Sequence, residues 1–284
     1  MAIDTCVLEQ KDYIVGMRRY FHAHPEVSLK EFKTSVRIEE ELDKVGIEHT
    51  RVGETGVYAR VVGKKTVEGK TKIVALRADM DALGMDDLKN CDYSSQNPGF
   101  CHACGHDGHT ATLLAAARIL KSMENDFAGE VRFFFQQAEE IGQGARQFVA
   151  AGLLEGVDRI YGQHVTNTLN VGQVGIVAGP LNASCDFFRI DVKGKGAHVS
   201  MPHKGVDALY VASQIVVAVQ SIVARSTDPM ESDVVGIGKA WAGTQYNIVA
   251  EEAVLEGTVR TFLPEVREAT NRRLTDIVEK TAEM

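Results

Sequence analysis

Along the first half of the chain, apolar residues alternate between helical spacing and short, mostly apolar runs. Residues 9–23 carry a helical pattern, and so do residues 33–45, where Val36, Ile38, Leu42 and Val45 precede a stop at Gly46. Short apolar runs follow at Val57–Val62, Ile73–Ala78, Val131–Phe135 and Ile160–Tyr161, each bounded by Gly, Asp or Glu. They read as strands, mostly buried. Between the second and third runs lies Asp107–Met123, Ala- and Leu-rich and beginning beside Gly105. Its high helix propensity predicts the crossover helix of a doubly wound α/β sheet.

From Ser184 the register changes. Asp186–Val192, Val206–Val223, Val234–Gly238, Ala253–Val259 and Pro264–Ala282 form one β-α-β-β-α series, the order of a small split β-α-β domain. Gly179-Pro180 punctuates the chain between the two patterns. The expected division is therefore a domain over residues 1–180 and a smaller α+β domain over 181–284. A length of 284 residues with 44% hydrophobic content is sufficient for two cores.

Charge narrows the partners. The 31 Lys and Arg against 39 Asp and Glu give a formal net charge of −8, with no basic run to follow a phosphate backbone; nucleic acid is not expected. Asp4, Glu9, Lys11 and Asp12 interrupt the first thirty residues, and no later stretch reads as the roughly 18 apolar residues of a membrane helix. Five scattered cysteines, an odd number, argue for a reducing compartment, so a cytoplasmic protein is expected.

The densest chemistry is Cys101-His102-Ala103-Cys104-Gly105-His106-Asp107-Gly108-His109, which gathers thiols, imidazoles and a carboxylate suited to a borderline divalent metal. A redox pair at Cys101 and Cys104, or a histidine that only caps a helix, stays open on local sequence. No second close pair of ligands follows, as a structural zinc site needs, and the order of a zinc deaminase is missing. Other donors follow the apolar runs: Asp79 and Asp81, Glu139 and Glu140, and His164. In open α/β sheets the ligand crevice lies outside the carboxyl ends of the strands. Neighbouring Glu139 and Glu140 on extended backbone point apart and can take separate roles.

Five ordered motifs carry a resemblance. Arg18-Arg19-x-x-His22-x-x-Pro25-Glu26, Ala78-Asp79-Met80-Asp81-Ala82-Leu83, His102-Ala103-Cys104-Gly105-His106-Asp107-Gly108-His109, Phe135-Gln136-x-Ala138-Glu139-Glu140 and Gly257-Thr258-x-Arg260-Thr261 resemble those of the aminoacylase/carboxypeptidase-type metallopeptidases. The branch most similar is that of indole-acetyl-amino-acid, hippurate and other N-acyl-amino-acid hydrolases.

The resemblance implies a zinc-aminopeptidase-type mixed sheet with an inserted ferredoxin-like dimerisation or lid domain. It implies two divalent ions per subunit, Zn, Mn or Co, with Cys104, His106, Glu140 and His164 as ligands. Glu139 is implied as general base and Asp81 as the carboxylate supporting the metal centre. Asp79 stands where other branches place a histidine ligand. Gly194-x-Gly196-x-His198 matches a motif whose histidine reaches the other subunit's site, which implies a homodimer, and Asn247 and Arg260 match the pair that grips a substrate carboxylate. The expected activity is hydrolysis of the amide bond of N-acyl amino acids or related small peptides; a dipeptidase or aminopeptidase, or an inactive metal-binding homologue, are the alternatives. Departures stand at Gly84, at Gln137 and at Asn247-Ile248-Val249-Ala250, where the family carries prolines. Because family members return to the large domain after the small one, the chain is also expected to be truncated at its C-terminal end. The large domain would then lack a further histidine ligand, the small sheet its last strand, and the 284 residues alone would be inactive.

Overall fold

A computed structural model describes residues 5–284, in two compact units that divide between Val171 and Gly172. The first contains α1 (Thr5–Leu8), α2 (Lys11–Ala23), α3 (Phe32–Asp43), β1 (Glu48–Val52), β2 (Gly56–Lys64), β3 (Ile73–Asp79), α4 (His106–Ser122), β4 (Ala128–Gln136), α5 (Gly144–Ala150) and β5 (Arg159–Gly162). Its five strands form one mixed sheet in the order β1-β2-β4-β3-β5. Strands β1, β2 and β4 pair antiparallel, whereas β3 is parallel to both β4 and β5.

Strand β4 shows how the sheet is covered. Successive side chains on a strand point to opposite faces. Phe133 and Phe135 are fully buried with Met17 and Phe21 of α2, Ile38 and Leu42 of α3, and Leu113 and Leu114 of α4. Phe134 packs the other way, with Ala75, Val52 and Phe148 of α5. A strand with buried apolar residues on both faces is what the short apolar run Val131–Phe135, interrupted by Arg132 alone, predicts. Strand β5 departs from that expectation: all four of its residues are exposed, because it is the sheet's outer strand, bonded to β3 alone. Three elements were not expected, the one-turn helix α1 (Thr5–Leu8) among them. Strand β1, Glu48–Val52, has one buried residue, and α5 is only seven residues long.

The parallel trio matters most for position. Since β3, β4 and β5 run the same way, the segments that leave them all emerge at one edge of the sheet.

The second unit holds β6 (Asp186–Lys193), α6 (Ala208–Ala218), α7 (Gln220–Arg225), β7 (Asp233–Ala242), β8 (Glu252–Thr261) and α8 (Pro264–Ala282). Its sheet is antiparallel in the order β6-β8-β7. Val192, Ile215, Val219, Ile222, Val235, Leu255, Val259 and Leu274 form the core between this sheet and its helices. The helix expected over Val206–Val223 is broken at Val219. Contrary to the sequence reading, Ala208–Arg225 does reach 18 residues with a mean hydropathy of 1.5. One side of it, Ala208, Ala212, Ile215, Val219 and Ile222, belongs to the core of this unit.

Phe135→Ala removes a fully buried ring from the centre of the first unit and should cost roughly 3–5 kcal/mol. Val62→Ala, at a half-exposed position of β2, should cost less than about 0.5 kcal/mol. Urea denaturation of both variants checks the contrast.

Candidate metal centre

Three backbone devices set the reactive side chains at the sheet edge. Helix α4 begins at His106, and its N-cap, Gly105, has φ 90°, so Cys104 turns sharply before the helix. A Cβ on Gly105 would lie 2.4 Å from Val165 Cγ2. Beyond β4, Ala138 sits at φ 51°, a left-handed conformation that costs a non-glycine residue about 1–2 kcal/mol. It is held there from both sides: its N–H donates to Glu31 Oε1 at 2.8 Å, and its carbonyl accepts from Gln143 and Gly144 at 3.1 and 3.2 Å. Gly144 permits that closure, since a Cβ there would stand 1.6 Å from the Gln137 carbonyl oxygen. The strained turn throws Glu139 and Glu140 back toward α4.

His106 is the hub. Its ring is fully buried, and Nδ1 lies 2.9 Å from the Asp81 carbonyl and 3.3 Å from Asp81 Oδ1. That fixes the ring and turns Nε2 toward Glu140 Oε1 at 3.8 Å, Glu139 Oε2 at 4.0 Å and Asp79 Oδ2 at 3.7 Å. Asp81 also accepts from Ser28 Oγ at 2.7 Å and from the Glu140 N–H at 3.0 Å, so both its oxygens are engaged. His106 Nε2 and Glu140 Oε1, by contrast, are buried atoms with no hydrogen-bond partner. Buried polar groups are rarely left so. Two facing orphan donor atoms, a buffered imidazole and an unengaged carboxylate oxygen fit a metal ion.

Cys104 and His164 complete the donor set from the other side, with Sγ and Nε2 3.3 Å apart, and Cys104, His106 and His164 form one group of convergent donor atoms. His106, Glu139 and Glu140 form another, sharing His106. The electrostatics ask for a cation. Burial, with the carboxylates of Glu140, Asp79 and Glu139 nearby, pushes the Cys104 thiol up to about 12. Burial, together with the charges of Glu139 and Asp81, also raises Glu140. For His106 burial acts downward, but the Asp81 hydrogen bond and the charges of Asp79, Asp81 and Glu140 outweigh it and raise it. Added positive charge among these groups relieves all three.

Asp79 has a different part. Its Oδ1 lies 2.6 Å from His109 Nδ1 and its Oδ2 accepts from Arg77 Nη1 at 2.8 Å. The other nitrogen of His109, Nε2, accepts the Val165 N–H at 2.9 Å. Asp79 is thereby the middle of a chain from Arg77 to the backbone next to His164. His109 lay within the cysteine- and histidine-rich segment but carried no expected role, and Ser28 and Glu31 carried none. Only long-range contact exposes them; no spacing could. His102 is a second surprise: burial lowers it to about 4, and neither ring nitrogen has a hydrogen-bond partner.

The expected substrate and oxyanion residues all lie in the second unit. His198 pairs with Ile248 in an isolated bridge, and Val199 N–H donates to the Asn247 carbonyl at 3.1 Å, so His198 and Asn247 are neighbours. Both are exposed, as is Arg260 on β8.

The profile of peptidase family M20/M25/M40 matches residues 75–283. An N-acetyl-L-cysteine deacetylase of Bacillus subtilis is 41% identical over 98% of this chain, which spans 66% of that protein's length. An N-acyl-L-amino acid amidohydrolase of Geobacillus stearothermophilus is 42% identical over 98% of the chain, which covers 74% of it. Among solved structures, a dinuclear metal-binding peptidase of the M20 family from Bacillus subtilis superimposes with a TM-score of 0.77 at 36% identity, over 99% of this chain and 71% of that one.

Asp79 yields an acid-stability prediction. Burial alone would raise its pKa, but the His109 hydrogen bond and the Arg77 and His106 charges bring it down from 3.8 to about 2. A carboxylate depressed by folding contributes stability above its unfolded pKa and loses it as pH falls through the folded one. The metal-free chain should therefore lose about 2 kcal/mol between pH 4 and pH 2 through this group. Asp79→Asn should flatten that part of the curve, as denaturant titration at each pH would show.

Proposed function

Because the chain belongs to peptidase family M20/M25/M40, we propose that the whole protein is a metal-dependent amidohydrolase that cleaves the amide bond of small N-acyl amino acids. The observation that carries this reading is the pair of buried, unpartnered donor atoms, His106 Nε2 and Glu140 Oε1, 3.8 Å apart beside a more exposed Glu139. The substrate class follows the relatives' names, N-acetyl-L-cysteine deacetylase and N-acyl-L-amino acid amidohydrolase.

Cys104, His106, Glu140 and His164 would hold the metal. Two divalent ions, Zn, Mn or Co, would supply Lewis-acid polarisation of the scissile carbonyl and a water acidic near neutrality. Glu139, with its side chain 41% exposed against 22% for Glu140, is the carboxylate free to handle protons. It takes the proton of the attacking water and delivers it to the leaving amine. Asp81 positions His106 and the Glu140 backbone.

The second unit serves as lid and dimerisation domain in this reading. His198 donates to the developing oxyanion in the partner subunit's site, and Asn247 with the planar fork of Arg260 grips the substrate carboxylate. The adjacency of His198 and Asn247 on two bridged segments supports a joint role.

In the whole protein, Glu139→Gln should retain metal and lower kcat by at least roughly a hundredfold, whereas Glu140→Gln should lose metal along with activity. Metal analysis beside N-acyl-amino-acid hydrolysis separates the two, and the reverse pattern would exchange their roles. Exhaustive chelation should abolish turnover, with zinc, manganese or cobalt restoring it.

Mixed dimers of His198→Ala and Glu139→Gln subunits should recover part of the activity that both homodimers lack. Confirmed heterodimers without recovery would refute a histidine acting across the interface.

A further inference from the structure

A second cluster of donors lies apart from the centre just described. His22 on α2, Asp87 in the segment after β3 and Cys101 before α4 bring one nitrogen, one oxygen and one sulfur within 4.8 Å of one another. His22 is fully buried, the Asp87 side chain is 3% exposed and Cys101 is 4% exposed. Their arrangement repeats that of His106. His22 Nδ1 is held by Asp107 Oδ2 at 2.6 Å, in turn anchored by Arg18 Nε at 3.0 Å. The ring is thereby fixed with Nε2 facing Asp87 Oδ2 at 3.3 Å. A carboxylate behind one imidazole nitrogen, with the other nitrogen presented to a carboxylate and a thiol, is the second-sphere geometry of metal-bound histidine. Asp87 is aimed there by two backbone donors, the Ser95 N–H to Oδ2 at 2.9 Å and the Lys89 N–H to Oδ1 at 3.1 Å, which leave further lone pairs on each oxygen.

A cation already stands at this spot. The Lys89 ammonium lies 3.4 Å from His22 Nε2 and 3.6 Å from Asp87 Oδ1. It hangs on a flexible stem, 48% exposed, so it can withdraw to solvent and leave an open coordination position.

We propose that His22, Asp87 and Cys101 form a second metal site, selective for a borderline-soft divalent ion such as zinc, for which Lys89 is the built-in competitor. An imidazole, a carboxylate and a thiolate with one open position match zinc. On binding, the Cys101 S–H bond is lost to a sulfur–metal bond and its proton leaves to solvent. With water in the fourth position, the ion would tie two segments of the chain together. Asp87 and Cys101 both lie within the long excursion between β3 and α4, which already leans on the end of α2 through Gln96 N–H to the Ala23 carbonyl and Asn97 Nδ2 to the Pro25 carbonyl, both at 2.8 Å. Metal at His22 would tie that excursion to α2. The proposal is independent of the hydrolase reading.

Cobalt titration of the 284-residue chain carrying Cys104→Ser tests it, because that substitution removes the only thiol of the first centre. The expected result is a sulfur-to-cobalt charge-transfer band in the near ultraviolet that disappears in Cys104→Ser/Cys101→Ser. Adding Lys89→Met instead should tighten cobalt binding at least tenfold, and zinc should raise the melting temperature of Cys104→Ser but not of the double cysteine variant. Should Cys101→Ser fail to fold, the Lys89→Met shift decides alone. No thiolate band in Cys104→Ser, a band that survives Cys101→Ser, or cobalt affinity indifferent to Lys89 would each overturn the proposal.

Discussion

The Asp81 carboxylate ties together three parts of the chain that have no sequence proximity. It holds the ring of His106, accepts the hydroxyl of Ser28 and receives the backbone N–H of Glu140. Its side chain is completely buried. An ionised carboxylate so placed is tolerable only because each oxygen is satisfied. Hydrogen bonds from His106, Ser28 and Glu140 outweigh burial, which acts first and in the opposite sense, and lower its pKa. Replacing it by an apolar residue would leave a hydroxyl and an amide without their acceptor at once, and the His106 ring held by the Asp81 backbone carbonyl alone.

Around that anchor the fold contributes direction more than contact. Parallel β3, β4 and β5 deliver Asp79 and Asp81, Glu139 and Glu140, and His164 to one edge, and α4 starts there with His106. The strained Ala138 shows that the delivery is not free of cost. Its left-handed backbone survives because Glu31, itself buried and raised by that burial, receives the Ala138 N–H. A buried carboxylate that holds this amide with one oxygen and the Thr55 hydroxyl with the other is a structural expense located beside the chemistry, where such expenses concentrate.

What the sequence made legible follows the range of the interactions involved. Short apolar runs announced β2, β3 and β4, and the packed donors of 104–109 announced a cluster of candidate metal ligands, because both signals are local. The dinuclear M20 peptidase structure agrees with a mixed α/β sheet of this type. The exposure of β5 was missed, since nothing in Ile160–Tyr161 says that only one neighbour will pair with it. The same limit applies to Asp79: spacing marks it as a ligand candidate, while the structure shows both oxygens already committed to Arg77 and His109. The apolar stretch Ala208–Arg225 was underestimated because two polar pairs, Ser213-Gln214 and Gln220-Ser221, and the terminal Arg225 interrupt it.

Gly144 carries a consequence for how the gene can drift. Any base change that alters its amino acid installs a Cβ, and that atom would fall 1.6 Å from a backbone oxygen that cannot move aside without reopening the turn at Ala138. Substitution at Glu139 or Glu140 would silence a side chain and leave the scaffold in place. Substitution at Gly144 would displace both glutamates while keeping them in the sequence. A descendant lacking this glycine would therefore look intact to anyone reading its reactive residues, although the turn that aims them had been lost.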